Sequence, residues 1–162
     1  MANHAAPLQL HSEKVLPEWV DYNGHLNESF YVLIFSHATD AFLDYIGLDD
    51  AGRRRTQCSL FTLENHINYL NEVKVGTLTR VETRIVKHDA KRVQLYQEMF
   101  LPEGGDPVAA MESMLIHMDM SARRSAPFRP EVMAIVSAIG EAHKNLPPAK
   151  WSGRRIAMPE PK

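Results

Sequence analysis

The sequence predicts an α+β domain in which a curved antiparallel sheet of five strands wraps one long central helix, with a second helix toward the C-terminus. Three observations predict it. The elements read in the order strand, long helix, four long strands, terminal helix. The helix carries an apolar stripe too broad and aromatic for a half-exposed helix, so it needs cover on most of its sides. The later strands are joined by short polar turns, which favours an antiparallel meander over parallel crossovers. A sheet curled around the helix satisfies all three at once.

Residues 1–7 read as a loose start. Leu8 to Val15 reads as the first strand, ended by Pro17. Asn27 can cap the long helix, and Glu28 places an acid in its first turn, where the helix dipole favours one. Phe30, Tyr31, Ile34, Phe35, Ala38, Ala41, Phe42, Tyr45 and Ile46 then recur at helical spacing, and Gly47 follows as a C-terminal cap. Leu60 to Leu70 is the second strand, and 71–76 turns the chain into Thr77 to Lys87, rich in Thr, Val and Ile. A polar tip over 87–91 leads into Arg92 to Leu101. Pro102-Glu103-Gly104-Gly105-Asp106-Pro107 is a strong turn before Val108 to Met120. Arg129 to Lys144 reads as the second helix, opened by Pro130 and carrying Val132, Ile135, Val136 and Ile139. One domain over 1–145 and an extended tail over 146–162, rich in proline and charge, complete the organisation.

A chain of 162 residues with 44% hydrophobic and 23% charged residues has room for one real core. A net charge of -2 gives no global attraction to nucleic acid or an anionic membrane. No stretch approaches the roughly 20 apolar residues of a membrane span. The first residues lack the basic and apolar regions of a signal peptide, so a cytoplasmic location is expected. The single cysteine, Cys58, excludes an internal disulfide and reads as a packed thiol. No phosphate-binding glycine motif, no Gly-x-Ser-x-Gly elbow and no metal-ligand spacing among the histidines is present, so no cofactor and no metal are expected.

Chemistry concentrates in Asp21-Tyr22-Asn23-Gly24-His25-Leu26-Asn27. The segment sits between a strand end and a helix start, where free N–H groups and partial positive charge can stabilise a developing oxyanion. Gly24 permits a tight turn there. Asp21 can act as nucleophile or as base for water, and His25 can donate to a carbonyl or shuttle a proton. Asn23 can hold Asp21, a water or a carbonyl oxygen. Asp-Tyr-Asn-Gly is also a good turn, and Asn27 has its capping role regardless, so local physics leaves both readings open.

The run from Asp21 to Tyr31 resembles the Asp-x-Asn-x-His-x-Asn-x-x-x-Tyr signature of the hotdog-fold acyl-CoA thioesterases, the 4-hydroxybenzoyl-CoA thioesterase-like family. The resemblance continues through Phe61-Thr62-Leu63-Glu64 and Val73-Lys74-Val75-Gly76-Thr77 and covers roughly residues 8 to 120. Within that family the phrases over 17–29, 38–47 and 62–70 are most similar to the betainyl-CoA thioesterase branch of carnitine breakdown, which also occurs fused to carnitine dehydrogenases. The resemblance implies hydrolysis of a short acyl-CoA thioester, with glycine-betainyl-CoA as the leading substrate and other short-chain or aromatic acyl-CoA thioesters as the alternative. Coenzyme A is then part of the substrate, and the protein works as a homodimer or homotetramer. A hydratase on acyl thioesters and a non-catalytic acyl-CoA-binding module are the competing functions. The hydratase fits the Asp-x-Asn-x-His pattern less well, and no DNA-binding segment supports a sensor.

Carried over residue by residue, the resemblance makes Asp21 the nucleophile or water-activating base, with Asn23 and His25 orienting water and polarising the thioester. Glu64 is the fourth catalytic candidate. In a strand Glu64, His66 and Asn68 share one face, and the expectation is that this face meets the Asp21 loop, within one chain or across a subunit interface. A betaine head group is a trimethylammonium, recognised by aromatic faces and a nearby carboxylate. Trp19, Tyr22 and Tyr69 are the candidate aromatics, with Asn27, His66 and Asn68 as further substrate-binding residues. Arg53-Arg54-Arg55, Arg123-Arg124 and Arg154-Arg155 are candidates for the CoA phosphates.

Overall fold

A computed structural model describes residues 4–160, so the first three residues of the expected loose start and the last two of the tail lie outside the described residues. Strand β1 spans Leu8–Lys14, and a short 3-10 turn over Pro17–Trp19 leads toward helix α1, Glu28–Leu43. The helix passes into a π turn at Asp44–Leu48, where Gly47 takes φ 89°, a left-handed conformation that glycine adopts without steric cost. A short helix α2, Asp50–Thr56, follows. The four long strands are β2 Cys58–Tyr69, β3 Leu78–His88, β4 Arg92–Phe100 and β5 Ala109–Asp119, then a two-residue strand β6, Arg124–Ser125, and helix α3, Pro130–His143.

Every pairing in the sheet is antiparallel, in the order β1-β3-β4-β5-β2, with β6 added to β5. Helix α1 therefore carries the chain from one edge of the sheet to the other. Bulges interrupt β1 between Gln9 and His11, β2 between Thr62 and Glu64, and β3 between Ile85 and Lys87. Each adds local twist and helps the sheet curl around α1. This is the hotdog arrangement.

Most of the helix stripe is buried as the sequence predicts, with Ile34, Phe35, Ala38 and Phe42 almost without exposed surface, whereas Tyr45, in the π turn, is exposed. Its first half packs with Trp19, Val81, Met99 and Met111, and its end with Ile46, Leu48, Leu95, Leu115 and the α3 residues Val136 and Ile139. Two elements escape the sequence reading. Asp49 caps α2 by accepting from the Gly52 N–H at 2.7 Å, a capping pattern hidden behind the Gly47 break. Strand β6 is too short to show a periodicity. The α2 arginines are partly occupied: Arg53 donates to the Leu48 carbonyl at 2.6 Å, and Arg54 pairs with Asp50.

Residues beyond α3 cross the outer face of the sheet. Arg84 donates to the Pro147 carbonyl at 2.6 Å, the Gly153 N–H donates to Glu112 at 2.9 Å, and the Arg154 guanidinium lies 4.9 Å from the Trp151 ring centre. Among the described residues no helix is long and apolar enough to cross a membrane.

Candidate active site

The segment between the 3-10 turn and α1 is a closed turn. The Asp21 N–H donates to the His25 carbonyl at 2.9 Å and the Gly24 N–H to the Asp21 carbonyl at 3.0 Å. Gly24 sits at φ 77°, which explains its place in the motif. The Asp21 side chain closes the turn a second time: its Oδ1 accepts the N–H groups of Asn23 at 2.8 Å and His25 at 3.2 Å. Both readings left open by the sequence are thus compatible, since the bonds that make a turn also fix the direction of a carboxylate. The Leu26 N–H donates to the Val73 carbonyl at 2.7 Å and the Asn27 N–H to the Trp19 carbonyl at 2.9 Å, which pins the start of α1 to the loop after β2.

Asn27 performs its capping role, accepting from the Ser29 N–H at 3.0 Å through its side chain and from the Phe30 N–H at 2.9 Å through its carbonyl. The positive end of the helix dipole and the Glu28 amide at the first helical position lie at this point.

An open cavity of about 660 Å³ opens here, and Asp21, His25 and Asn27 line it from the turn. Glu28 and Tyr31 line it from α1, and Tyr69, Leu70, Asn71 and Glu72 from the end of β2. His25 Nε2 lies 3.4 Å from a carboxylate oxygen of Glu72. Tyr31 donates to the Asn71 carbonyl at 3.0 Å and packs edge-to-face on Tyr69 at 5.4 Å, while Tyr69 donates to the Glu28 carbonyl at 3.3 Å. Burial pushes both phenols above their ordinary range, with the negative charges of Glu72 (on Tyr31) and Glu28 (on Tyr69) adding to it. Both rings therefore stay neutral. Among the described residues the lining contains three carboxylates, Asp21, Glu28 and Glu72, and no lysine or arginine.

The structure brings Asp21, His25, Asn27 and Tyr69 together at this cavity and leaves the other expected residues elsewhere. Trp19 is buried and stacks on Phe30 at 5.6 Å, so its ring serves the core. Tyr22 is 97% exposed, projecting from the turn beyond the cavity lining. Asn23 is exposed and meets Asp21 through its backbone N–H rather than its amide.

Glu64, His66 and Asn68 do share a face, but the bulge decides which one. Thr62 is opposite Leu115 and Glu64 is opposite Met114, so Leu63 has no partner and the alternation shifts by one. Thr62 and Asn65 consequently face α1 across a small cavity with Ser36 and Asp40. Glu64 and His66 line a separate outer-face hollow with Glu112 and Arg154, and His66 Nδ1 lies 2.8 Å from the Arg154 carbonyl. Within one chain they do not reach the Asp21 cavity.

Tyr31, Glu28, Asn71 and Glu72 are the polar lining residues the sequence reading did not assign; the apolar Leu26 and Leu70 complete the lining. Glu28 and Tyr31 were visible as a first-turn acid and a stripe residue. Glu72 had no local signal, because its approach to His25 is set by the pairing of His25 with Lys74.

Residues 15–136 match the model of the thioesterase-like superfamily. A Pseudomonas aeruginosa protein named betainyl-CoA thioesterase is 48% identical over 94% of this chain and 96% of its own length. An Agrobacterium fabrum protein named L-carnitine dehydrogenase/betainyl-CoA thioesterase is 41% identical over 92% of this chain, which corresponds to 31% of that longer protein. Among solved structures, a Staphylococcus aureus protein in complex with CoA superposes with a TM-score of 0.84 at 28% identity, covering 95% of this chain and 98% of the other.

Proposed function

The chain belongs to the thioesterase-like superfamily and is an acyl-CoA thioesterase, and from that premise we propose that it hydrolyses glycine-betainyl-CoA to glycine betaine and CoA, with Asp21 as the nucleophile or general base. The observation that carries the substrate assignment is the charge of the cavity. Three carboxylates and two neutral tyrosine rings line it, with no fixed cation. A trimethylammonium group suits such a lining, because it offers no hydrogen-bond donor and is held by ring faces and negative charge. An anionic acyl group would meet repulsion there.

In this reading the thioester carbonyl sits at the start of α1. Its oxygen takes up negative charge against the helix dipole and the Glu28 amide. Asp21, held through Oδ1, either attacks the carbonyl carbon or takes a proton from the attacking water. The C–S bond breaks and CoA leaves as the thiolate; where Asp21 has attacked, water then cleaves the resulting acyl-Asp21 anhydride, releasing glycine betaine and restoring the carboxylate. His25, steadied by Glu72, supplies or returns the proton. Tyr31 and Tyr69 flank the acyl group.

The protein is proposed to act as a homodimer or homotetramer. Strand β2 ends the sheet and exposes Phe61 and Leu63, the kind of edge that a second copy covers. Glu64, His66 and Asn68 contribute to a site only through such a neighbour.

The test compares betainyl-CoA with 3,3-dimethylbutyryl-CoA, in which carbon replaces the quaternary nitrogen at nearly constant shape. Thiol release should favour the cation by roughly tenfold or more in kcat/KM, since desolvated cation–π contacts are worth about 2 kcal/mol. Equal kcat/KM for the two would remove the assignment of a cationic acyl group. Absence of CoA release from either would remove the assignment of this cavity as a thioesterase site for short acyl groups.

A further inference from the structure

We propose that His11, Glu13 and His37 form a binding site for a divalent transition metal of the zinc type, tying edge strand β1 to helix α1. Glu13 stands between two imidazoles. Its Oε2 lies 2.9 Å from His11 Nε2 and 2.7 Å from His37 Nδ1. The two rings approach edge-to-face at 5.9 Å, and the three donor atoms all lie within 4.8 Å of one another.

Each position follows from the fold. His11 and Glu13 are two apart on β1 and so share a face of that strand. His37 comes from the middle of α1, which packs against that face. The bulge after Gln9 sets the local register of His11. Twenty-four residues separate Glu13 from His37, so no sequence spacing announces the set.

The donor chemistry is specific. Two imidazoles and one carboxylate suit zinc and its neighbours, whereas calcium and magnesium prefer all-oxygen shells. Metal–ligand distances of about 2.0–2.2 Å in a tetrahedron put the donors roughly 3.3 Å apart. The 2.9 Å and 2.7 Å separations therefore need to open by about half an ångström, which rotation of the Glu13 side chain can supply. The side chains are 20% (His11), 22% (Glu13) and 38% (His37) exposed, so water can complete the coordination. The Glu13 carboxylate is held between the two imidazoles by one hydrogen bond from each, so all three donors already converge on one point. Without metal the same carboxylate accepts from imidazole N–H groups, and a metal would replace those two hydrogen bonds at the same ring nitrogens.

None of the three residues lines the Asp21 cavity, so the inference stands apart from the proposed substrate. The metal would act on stability, by joining an edge strand to the central helix.

Chelator-treated protein is titrated with zinc chloride by calorimetry, and its melting temperature is read with and without zinc. Wild-type protein should bind one equivalent and melt higher with it. His37→Ala and Glu13→Gln should each weaken binding at least as much as the roughly 10–100-fold that loss of an outer-shell partner costs, while CoA release is retained. Cobalt(II) added to the wild type should give the intense visible bands of a low-coordinate site with imidazole ligands, a readout that does not depend on either variant folding. Failure of the wild type to take up zinc, zinc affinity unchanged in His37→Ala, or a cobalt spectrum that remains that of the hexaaqua ion would each overturn the proposal.

Discussion

Replacing His143 by leucine should destabilise the fold near neutral pH and flatten its response to acid. His143 closes α3, is 4% exposed, and accepts the Ile85 N–H at 3.0 Å through Nδ1. Strand β1 pairs with β3 only as far as Leu8 opposite Thr83, so Ile85 lies past the end of that ladder and takes an imidazole as its acceptor instead. His143 Nε2 lies 3.2 Å from the Ala6 carbonyl, which fixes the proton on Nε2. Leucine keeps most of the volume but leaves a buried amide unpaired, at a cost of about 1–3 kcal/mol. In a domain of this size that corresponds to a fall in Tm of roughly 2–12 °C. Burial lowers the His143 pKa, and the charges of His4 and Arg84 add to the effect. The unfolded chain therefore binds the proton first. Stability contributed by the neutral imidazole is complete above an unfolded-state value near 6.5 and declines as pH falls below it, by up to about 1.4 kcal/mol per pH unit. Urea denaturation at fixed protein concentration, at about pH 7.5 and about pH 5.5, measures both effects. The gap between wild type and variant should narrow at the lower pH. His117, buried and shifted in the same direction by burial, remains in both proteins and supplies the acid sensitivity that survives. An equal gap at the two pH values would refute the neutral-acceptor role of His143.

Two further outcomes concern the cavity. Asp21→Asn should keep an oxygen that accepts the Asn23 and His25 N–H groups, so its melting should stay close to wild type. Its kcat should fall by about 10²–10⁴-fold, and turnover near the wild-type level in a thiol-release assay would take Asp21 out of the mechanism. Glu28→Gln and Glu72→Gln should each raise KM for betainyl-CoA by a small factor, because exposed charge interactions are worth only about 0.2–1 kcal/mol. The same variants should leave KM for 3,3-dimethylbutyryl-CoA unchanged, and added salt should shrink the difference; matching changes on both substrates would show that these carboxylates do not read charge.

The fold was legible because its determinants are local and repeated. The stripe from Phe30 to Ile46 could only be satisfied by cover on several sides, and the strand segments after Leu60 could supply it only by curling. The turn from Asp21 to Asn27 was legible for a related reason: its glycine, its closing carboxylate and its cap all act within seven contiguous residues. What stayed hidden depends on parity or on tertiary approach. Counting by twos from buried Leu60 places Glu64 toward the helix; one unpaired residue, Leu63, turns it outward, and no propensity distinguishes a strand that carries a bulge there from one that does not. Trp19 shows the limit of reasoning from side-chain chemistry alone, since an aromatic beside the Asp21 turn suits a cation cage and a core equally, and only Phe30, eleven positions on in the first turn of α1, decides for the core. Glu72 and the His11–Glu13–His37 cluster are the converse case. Their chemistry was written in the sequence, but the pairing of His25 with Lys74 and the seating of α1 against β1 create the contacts. Candidate site residues drawn from one contiguous segment can therefore be read before the fold is known, whereas those assembled across a bulge or between a helix and a strand are brought together only by the fold itself.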